Sequence, residues 1–356
     1  MHLRFRNVTE AFNEMVSDID RGYHKLEKSY TRNGPVLYFP EPVTITYERP
    51  WERVLLNFRR DANPFFHLFE SMWMLAGRND LAPLLYYVST FGDFSDDGRT
   101  LNGAYGYRWR HKGEDQLEVL IKHLKDNPDS RRAILQMWNV EDDLLKIDSS
   151  KDVCCNLSCC FSIRTEDKGF DDSGKHIFMD FLDMTVFNRS NDLIWGTFGA
   201  NAVHFSFLQE YMARKLEVHV GVYHQLSNNL HVYTDTNSGF KPKEWLPIPK
   251  HQRTSWNPKE LDYTSEEIAM VGPLSVGDNF DQEVKEFVDC EDWSRTFTDP
   301  FLMRVAAPMM WAFRLHKERN YTMALNVVQT VESDDWKLAG EEWLSRRQES
   351  WEKKNG

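Results

Sequence analysis

Four of the five cysteines in this 356-residue chain fall between Cys154 and Cys160. They stand where the polar run Lys151-Asp152 gives way to an apolar, strand-like stretch from Leu157 to Ile163. A thiol at a loop-to-strand junction is fixed on one side and open on the other, as a nucleophile must be. Zinc sites use Cys-x2-4-Cys spacings with a second pair or histidines. The adjacent pairs Cys154-Cys155 and Cys159-Cys160 fit that poorly, so no metal is predicted. Cys159 and Cys160, inside the apolar run, are expected to pack in the core. Cys154 or Cys155, at the loop edge, is the candidate nucleophile, given a nearby cation to favour its thiolate.

Other side chains carry chemistry of their own. Glu70 sits among Phe65, Phe66, Leu68, Phe69, Met72 and Trp73. A carboxyl buried there without a cation would have a raised pKa, which suits proton transfer near neutral pH. The plain alternative is a glutamate reaching solvent from one uncovered stripe. Arg131-Arg132 at a strand start, and Arg189-Ser190-Asn191-Asp192 at a polar break, offer guanidinium forks for a phosphate. Taken singly, they also read as surface charges. His231 and Tyr233, two apart on a strand, share a face and could bond a sugar hydroxyl.

These groups need elements to position them. Val8 to Lys28 has helical spacing, with Phe12, Met15, Val16 and Ile19 on one side. Val36 to Glu48 reads as strands broken at Pro40 and Pro42. Pro64 opens a helix that runs to Ala76 and stops at Gly77. Leu81 to Phe94 is a helix and loop, and Gln116 to Lys125 is a helix. Arg132 to Trp138, Asn156 to Arg164, Ile177 to Phe187 and Leu216 to Leu226 are strands, the first of them buried. Thr165 to Lys175 is an exposed connection. Phe198 to Arg214 is a long helix, and Leu230 to Tyr233 is part of a further element. Lys241 to Pro273 is irregular and Pro-rich. No linker composition separates domains, so residues 1–273 form the catalytic body and 274–356 a helical extension packed on it. A net charge of −12 argues against a long nucleic acid as partner. No apolar run approaches the roughly 18 residues of a membrane span. The N-terminus lacks the apolar stretch of a signal peptide, which predicts a cytoplasmic protein with free thiols.

Together these residues resemble the thymidylate synthase family, including its pyrimidine-nucleotide hydroxymethylase branch. The motifs are Glu70-x-x-Trp73-x-Leu75-x-Gly77, Tyr105-Gly106-x-x-Trp109-Arg110, Asp129-Ser130-Arg131-Arg132, Trp138-Asn139, Cys155-Asn156, Arg189-Ser190-x-Asp192 and His231-x-Tyr233. Each is weak alone; their order and separations over residues 31–233 are specific. The resemblance implies an α/β (α+β) fold, a large twisted mixed sheet flanked by helices, paired sheet to sheet in a homodimer. It implies 5,10-methylenetetrahydrofolate as one-carbon donor and a pyrimidine nucleoside monophosphate as acceptor. It makes Cys155 the nucleophile and Glu70 the proton shuttle, with Tyr105 and Asn156 beside them. It makes Arg32, Arg189 and Ser190 phosphate ligands, and Arg131 and Arg132 phosphate ligands lent by the partner subunit. It puts Asp192, Phe91 and Phe94 against folate, and His231 and Tyr233 on ribose. The base-reading asparagine falls on Ala200 if counted from Asp192 without a gap, and on Asn201 with one inserted residue.

The implied chemistry starts with thiolate addition at pyrimidine C6, which makes C5 able to attack a folate-derived iminium. Loss of tetrahydrofolate leaves an exocyclic methylene on C5. Hydride then yields a methyl group, and water yields a hydroxymethyl group. Several residues depart from the family pattern. Asn156 stands where many members have histidine, and Asn229 where a carboxylate precedes the ribose pair. Phe91 and Phe94 replace tryptophans, and the C-terminus is long and helical. These departures favour hydroxymethylation, with CMP or dCMP as the expected substrate. The alternatives are dUMP methylation, dUMP hydroxymethylation, and a nucleotide-binding member without catalysis.

Overall fold

The computed structural model describes residues 1–234, 239–246, 261–293 and 295–355. Its strands are β1 (His2–Phe5), β2 (Glu27–Thr31), β3 (Gly34–Tyr38), β4 (Val43–Tyr47), β5 (Ile134–Gln136), β6 (Asn156–Phe170), β7 (His176–Asn188), β8 (Asn191–Asp192), β9 (His219–Ser227) and β10 (Leu230–Tyr233). Its α-helices are α1 (Val8–Asp20), α2 (Pro64–Leu75), α3 (Ala82–Tyr87), α4 (Tyr105–His111), α5 (Gln116–Asp126), α6 (Asn201–Leu216), α7 (Pro242–Trp245), α8 (Phe280–Val288), α9 (Ala307–Lys317), α10 (Tyr321–Val328) and α11 (Asp334–Asn355).

A six-stranded mixed sheet has the order β1-β4-β9-β7-β6-β5, and a four-stranded sheet the order β2-β3-β10-β8. Registers show how the large sheet divides its faces. Leu135, Cys159, Val186, Gln225 and Ile45 lie side by side and are all buried. In the next row Ile134 is exposed, and Cys160, Thr185 and His224 are half-buried. Successive side chains alternate between faces, so one face meets the helices and the other lies open. Against the closed face lies α6, and α2 packs on α6.

The closed face explains α2, which is apolar almost all round. Its outer side is covered by α8, α9 and α11. Phe65 of α2 meets Phe313 at 5.5 Å and Trp343 at 5.4 Å between ring centroids. Phe207 of α6 meets Trp336 at 6.2 Å. These rings join one continuous hydrophobic cluster with the sheet. Asn63 caps α2 by accepting from Phe66 N, and Pro64 opens it.

Several elements differ from the sequence reading. The helix α1 ends at Asp20, followed by Gly22 at φ +74°, and the chain returns as β2. Local periodicity ran on because it cannot sense the hairpin of β2 with β3. The segment read as a buried strand over 132–138 is the short edge strand β5, with Ile134 and Gln136 exposed. The connection 165–175 is exposed as expected but mostly strand: β6 and β7 extend past the core and turn near residues 171–175. Cys160 faces the open side rather than the core, because it is one residue out of phase with Cys159. Within the segment read as irregular, Pro242–Trp245 is a helical turn; residues 247–260 lie outside the described part.

At Gly106 in α4, an added Cβ would sit 2.0 Å from Met74 O of α2. Only a backbone without a side chain allows this approach. Gly106→Ala is expected to destabilise the fold by about 1–3 kcal/mol, read as a lower urea midpoint at unchanged slope.

Candidate active site

The candidate nucleophile, Cys155, lies one residue before β6. A buried ion pair between Arg108 and Asp143 shapes the approach to it. Asp143 Oδ1 accepts from Cys154 N at 2.9 Å, while Arg108 Nη1 donates to Met137 O at 2.7 Å. Neither residue was picked out in the sequence: Arg108 fills an unspecified position of the Tyr105-Gly106-x-x-Trp109-Arg110 motif, and nothing local pairs it with Asp143. On the other side, Arg189 Nε donates to Cys154 O and its Nη2 to Val153 O, both at 2.8 Å. The same Nη2 reaches Cys155 Sγ at 3.5 Å. Arg32 Nη2 donates to Lys151 O at 3.2 Å, so both same-chain phosphate candidates meet at the cysteine loop. Ser190 follows Arg189 directly and is half-buried.

The two loop-edge cysteines are thereby told apart. Cys154 is buried, and burial pushes its thiol well above the ordinary value. Cys155 is half-buried; burial raises its thiol too, but Arg189 pulls against that shift while Asp152 and Asp143 add to it. The Tyr105 hydroxyl lies near Cys155 and the Asn156 backbone. That hydroxyl is itself pushed well up by burial, so it stays protonated.

Asn156 leads to the base-reading position. A π-helical segment, Leu193–Ala200, precedes α6 and contains a kink at Gly199. Its wider winding takes up one extra residue. Asn201, not Ala200, consequently meets Asn156, whose Nδ2 donates to Asn201 Oδ1 at 3.3 Å. Asn201 Nδ2 donates to Asn191 Oδ1 at 3.0 Å. Asn191 Nδ2 donates to Gln225 Oε1 at 2.6 Å, and Gln225 Nε2 donates to Tyr223 Oη at 2.7 Å. Tyr223 Oη completes the chain by donating to Asn201 O at 3.4 Å. Gly196 makes room for it, since a Cβ there would lie 2.2 Å from Asn191 Oδ1. A backbone carbonyl can only accept, so its bond orients every amide back to Asn201. Ala200 carries no side chain to read a base.

Asp192, His231 and Tyr233 gather at β8 and β10, where His231 stands opposite Asp192 in register. The rings of His231 and Tyr233 are 5.4 Å apart, and His231 Nδ1 is bonded to Asn229 Oδ1 at 3.0 Å. Asp192 caps the π-helical segment by accepting from Ile194 N at 2.8 Å. Burial raises its carboxyl, while the backbone bonds from Trp195 and Ile194, His231 and Arg60 hold it down. Arg60, which the sequence reading passed over, is buried and stacks over Trp195 at 4.2 Å. Burial lowers its guanidinium to about 10, and its Nε has no partner among the described residues. A buried donor without a partner beside a half-buried carboxylate suits a polar heterocycle such as a pterin.

Glu70 is buried as expected, on α2. Its Oε2 lies 3.0 Å from His204 Nε2 of α6. Phe66, one helical turn before Glu70, packs on Phe91 at 5.2 Å, and Phe91 on Phe94 at 6.0 Å. Phe94 is 48% exposed, so it leaves that side of the site open. The segment after it is tied to the cysteine loop, since Asp96 Oδ1 accepts from Lys151 N at 2.8 Å.

Arg131 and Arg132 are not brought to this site. Ile134 of β5 pairs with Cys160, so Arg132 lies beyond it, toward the far end of β6 from Cys155. Seven residues of strand separate those positions, roughly 20 Å.

A profile of the thymidylate synthase family matches residues 60–262. The chain belongs to the thymidylate synthase family. It is 43% identical over 357 aligned residues to the deoxyuridylate hydroxymethyltransferase of Pseudomonas phage M6, covering 98% of this chain and 95% of that protein. It is 41% identical to the deoxyuridylate hydroxymethyltransferase of Bacillus phage SP01 over 54% of this chain and 50% of that one. A thymidylate synthase from Corynebacterium aurimucosum is 26% identical over 58% of this chain and 75% of its own length. As a thymidylate synthase family member the chain is a one-carbon transferase with methylenetetrahydrofolate as donor. No helix among the described residues is long and apolar enough to cross a membrane.

The Arg189 contact makes a prediction. Removing the cation disfavours the thiolate, so Arg189→Gln is expected to shift the alkylation midpoint of Cys155 to higher pH. Iodoacetamide labelling over a pH series, followed by peptide mass analysis, checks it.

Proposed function

We propose that this family member converts dUMP to 5-hydroxymethyl-dUMP, with Cys155 as nucleophile and Glu70 as proton carrier. The observation that carries the choice of base is the oriented amide chain ending at Asn201. It leaves Asn201 Oδ1, which accepts once from Asn156 Nδ2, with a second lone pair to accept from a base, and leaves one Nδ2 proton for donation. Uracil offers N3–H to the first and O4 to the second. Cytosine offers an acceptor at N3 and donors at N4, the reverse pattern. Turning all the amides over would give up the bond from Tyr223 to Asn201 O, a cost of about 1 kcal/mol. That bias adds to the mismatch and favours uracil. The names of both phage relatives point the same way. The cytidylate expected from the departures in sequence becomes the second reading.

The chemistry follows from the arrangement. Methylenetetrahydrofolate supplies the carbon. Arg32 and Arg189 bind the nucleotide phosphate next to the cysteine loop, and the charge of Arg189 also helps Cys155 act as thiolate. Sulfur adds to C6, and Asn201 steadies the charge that builds on O4. His231 and Tyr233 hold the ribose, and Asp192 with Trp195 and Arg60 lines the folate side. Phe91 and the exposed Phe94 shield the methylene carbon less than closed indole rings would, which favours water over hydride.

A homodimer completes the reading. The open sheet face presents Ile134, Thr185, Phe187 and Leu226 with no covering helix among the described residues. A second copy on that face would cover it. Arg131 and Arg132, too distant for their own site, would then serve the partner's phosphate.

Tritium release from 5-tritiated dUMP, dCMP, CMP and UMP with methylenetetrahydrofolate tests the function. Release with dUMP, a product heavier by one hydroxymethyl group, and tetrahydrofolate rather than dihydrofolate are expected. Cys155→Ser is expected to abolish release; a methyl product or preference for dCMP would overturn the reading. Mixing inactive Cys155→Ala chains with inactive Arg131→Ala/Arg132→Ala chains tests the dimer. Random exchange should restore about a quarter of wild-type activity, from one complete site in each mixed dimer.

A further inference from the structure

His204 contributes to no step assigned above, yet it is buried within α6 and faces the proton carrier. Its Nε2 and Glu70 Oε2 are 3.0 Å apart, and both atoms are buried. Neither makes an aligned hydrogen bond, although together they could make a strong one. An unsatisfied buried polar atom costs about 1–3 kcal/mol, so this contact is held at an energetic cost. Glu70 Oε1 has no hydrogen-bond partner among the described residues and is not fully buried, so it is open to a small molecule in the site. His67 stands edge-on to His204 at 6.5 Å. Burial lowers its imidazole to about 3, so it stays neutral and brings no competing charge.

Resting on the hydroxymethylase reading, we propose that His204 is a positioning residue acting through Glu70 when water attacks the exocyclic methylene. The balance is as follows. Water oxygen bonds to the methylene carbon, and one water O–H bond breaks. Its proton passes to Glu70 Oε1. The C5–methylene π pair moves toward O4, returns to restore C5=C6, and breaks the C6–S bond, so that Cys155 leaves as thiolate. Once aligned through Nε2–H, His204 holds Glu70 Oε2 in place and keeps its free oxygen turned toward that water. A hydride transfer to the same carbon has no proton to remove at this stage and no use for the pair. An amide or hydroxyl at position 204 would lack the rigid ring that fixes the orientation of the Glu70 carboxyl.

The test sets water against a nucleophile that needs no base. Turnover of 5-tritiated dUMP is run with 2-mercaptoethanol present, and the hydroxymethyl and thioether products are separated by mass. In His204→Gln the hydroxymethyl-to-thioether ratio is expected to fall about tenfold or more below wild type. His204→Ser, smaller and without strain on α6, is read in the same way should the glutamine variant not fold. A ratio unchanged in both variants, with tritium release, both products and melting temperature falling together, would show a purely structural histidine and overturn the proposal. No tritium release from wild type would instead overturn the hydroxymethylase reading on which it rests.

Discussion

One guanidinium fixes the centre of this protein. Arg189 bonds the carbonyls of Val153 and Cys154 and touches the sulfur of Cys155. The loop that leads into β6 is thereby pinned, and positive charge is held beside the Cys155 sulfur. The buried Arg108–Asp143 pair secures the same loop from behind by taking the Cys154 N–H. Breaking a buried pair of this kind leaves a charge without compensation. The cost of burying two ions is therefore tied to the geometry of the nucleophile. The thiol also sits deep enough that burial opposes its ionisation, so Arg189 works against a real desolvation penalty.

A second constraint is the single extra residue in the π-helical segment. It moves the start of α6 by one position and brings Asn201, rather than Ala200, against Asn156. The asparagine is then oriented by four residues from three strands: Asn156, Asn191, Tyr223 and Gln225. Specificity for a hydrogen-bonding pattern needs that kind of orientation, since a lone amide can turn over at little cost. The same helix carries His204 to Glu70, so α2 and α6 between them bring a buried carboxyl and an imidazole together.

The helical extension takes a different part. Its rings cover the outer side of α2 and α6, Phe313 and Trp343 on Phe65 and Trp336 on Phe207. That cover explains why α2 is apolar nearly all round and how Glu70 comes to be enclosed. The extension buttresses the helices that carry the chemistry and supplies none of the sequence-predicted site residues.

Much of this was legible in the residues. The order of motifs placed Cys155, Glu70, Arg189, Asp192, His231 and Tyr233 in one family, and the strands around Cys155 followed from alternation. Those signals are local: residue types and their separations survive in the unfolded chain. What stayed hidden was the outcome of distant pairings. The sequence left Ala200 and Asn201 open, because whether a helix takes up an extra residue depends on what packs around it. It left Cys160 in the core, because which face of a strand is covered is decided by the neighbouring layer. It gave no sign of Arg108 with Asp143, Arg60 on Trp195, or His204 beside Glu70, since each pair joins residues far apart in the chain. Sequence determined which chemical groups the protein owns, and tertiary structure alone decided which of them meet, because burial and orientation are properties of packed neighbours.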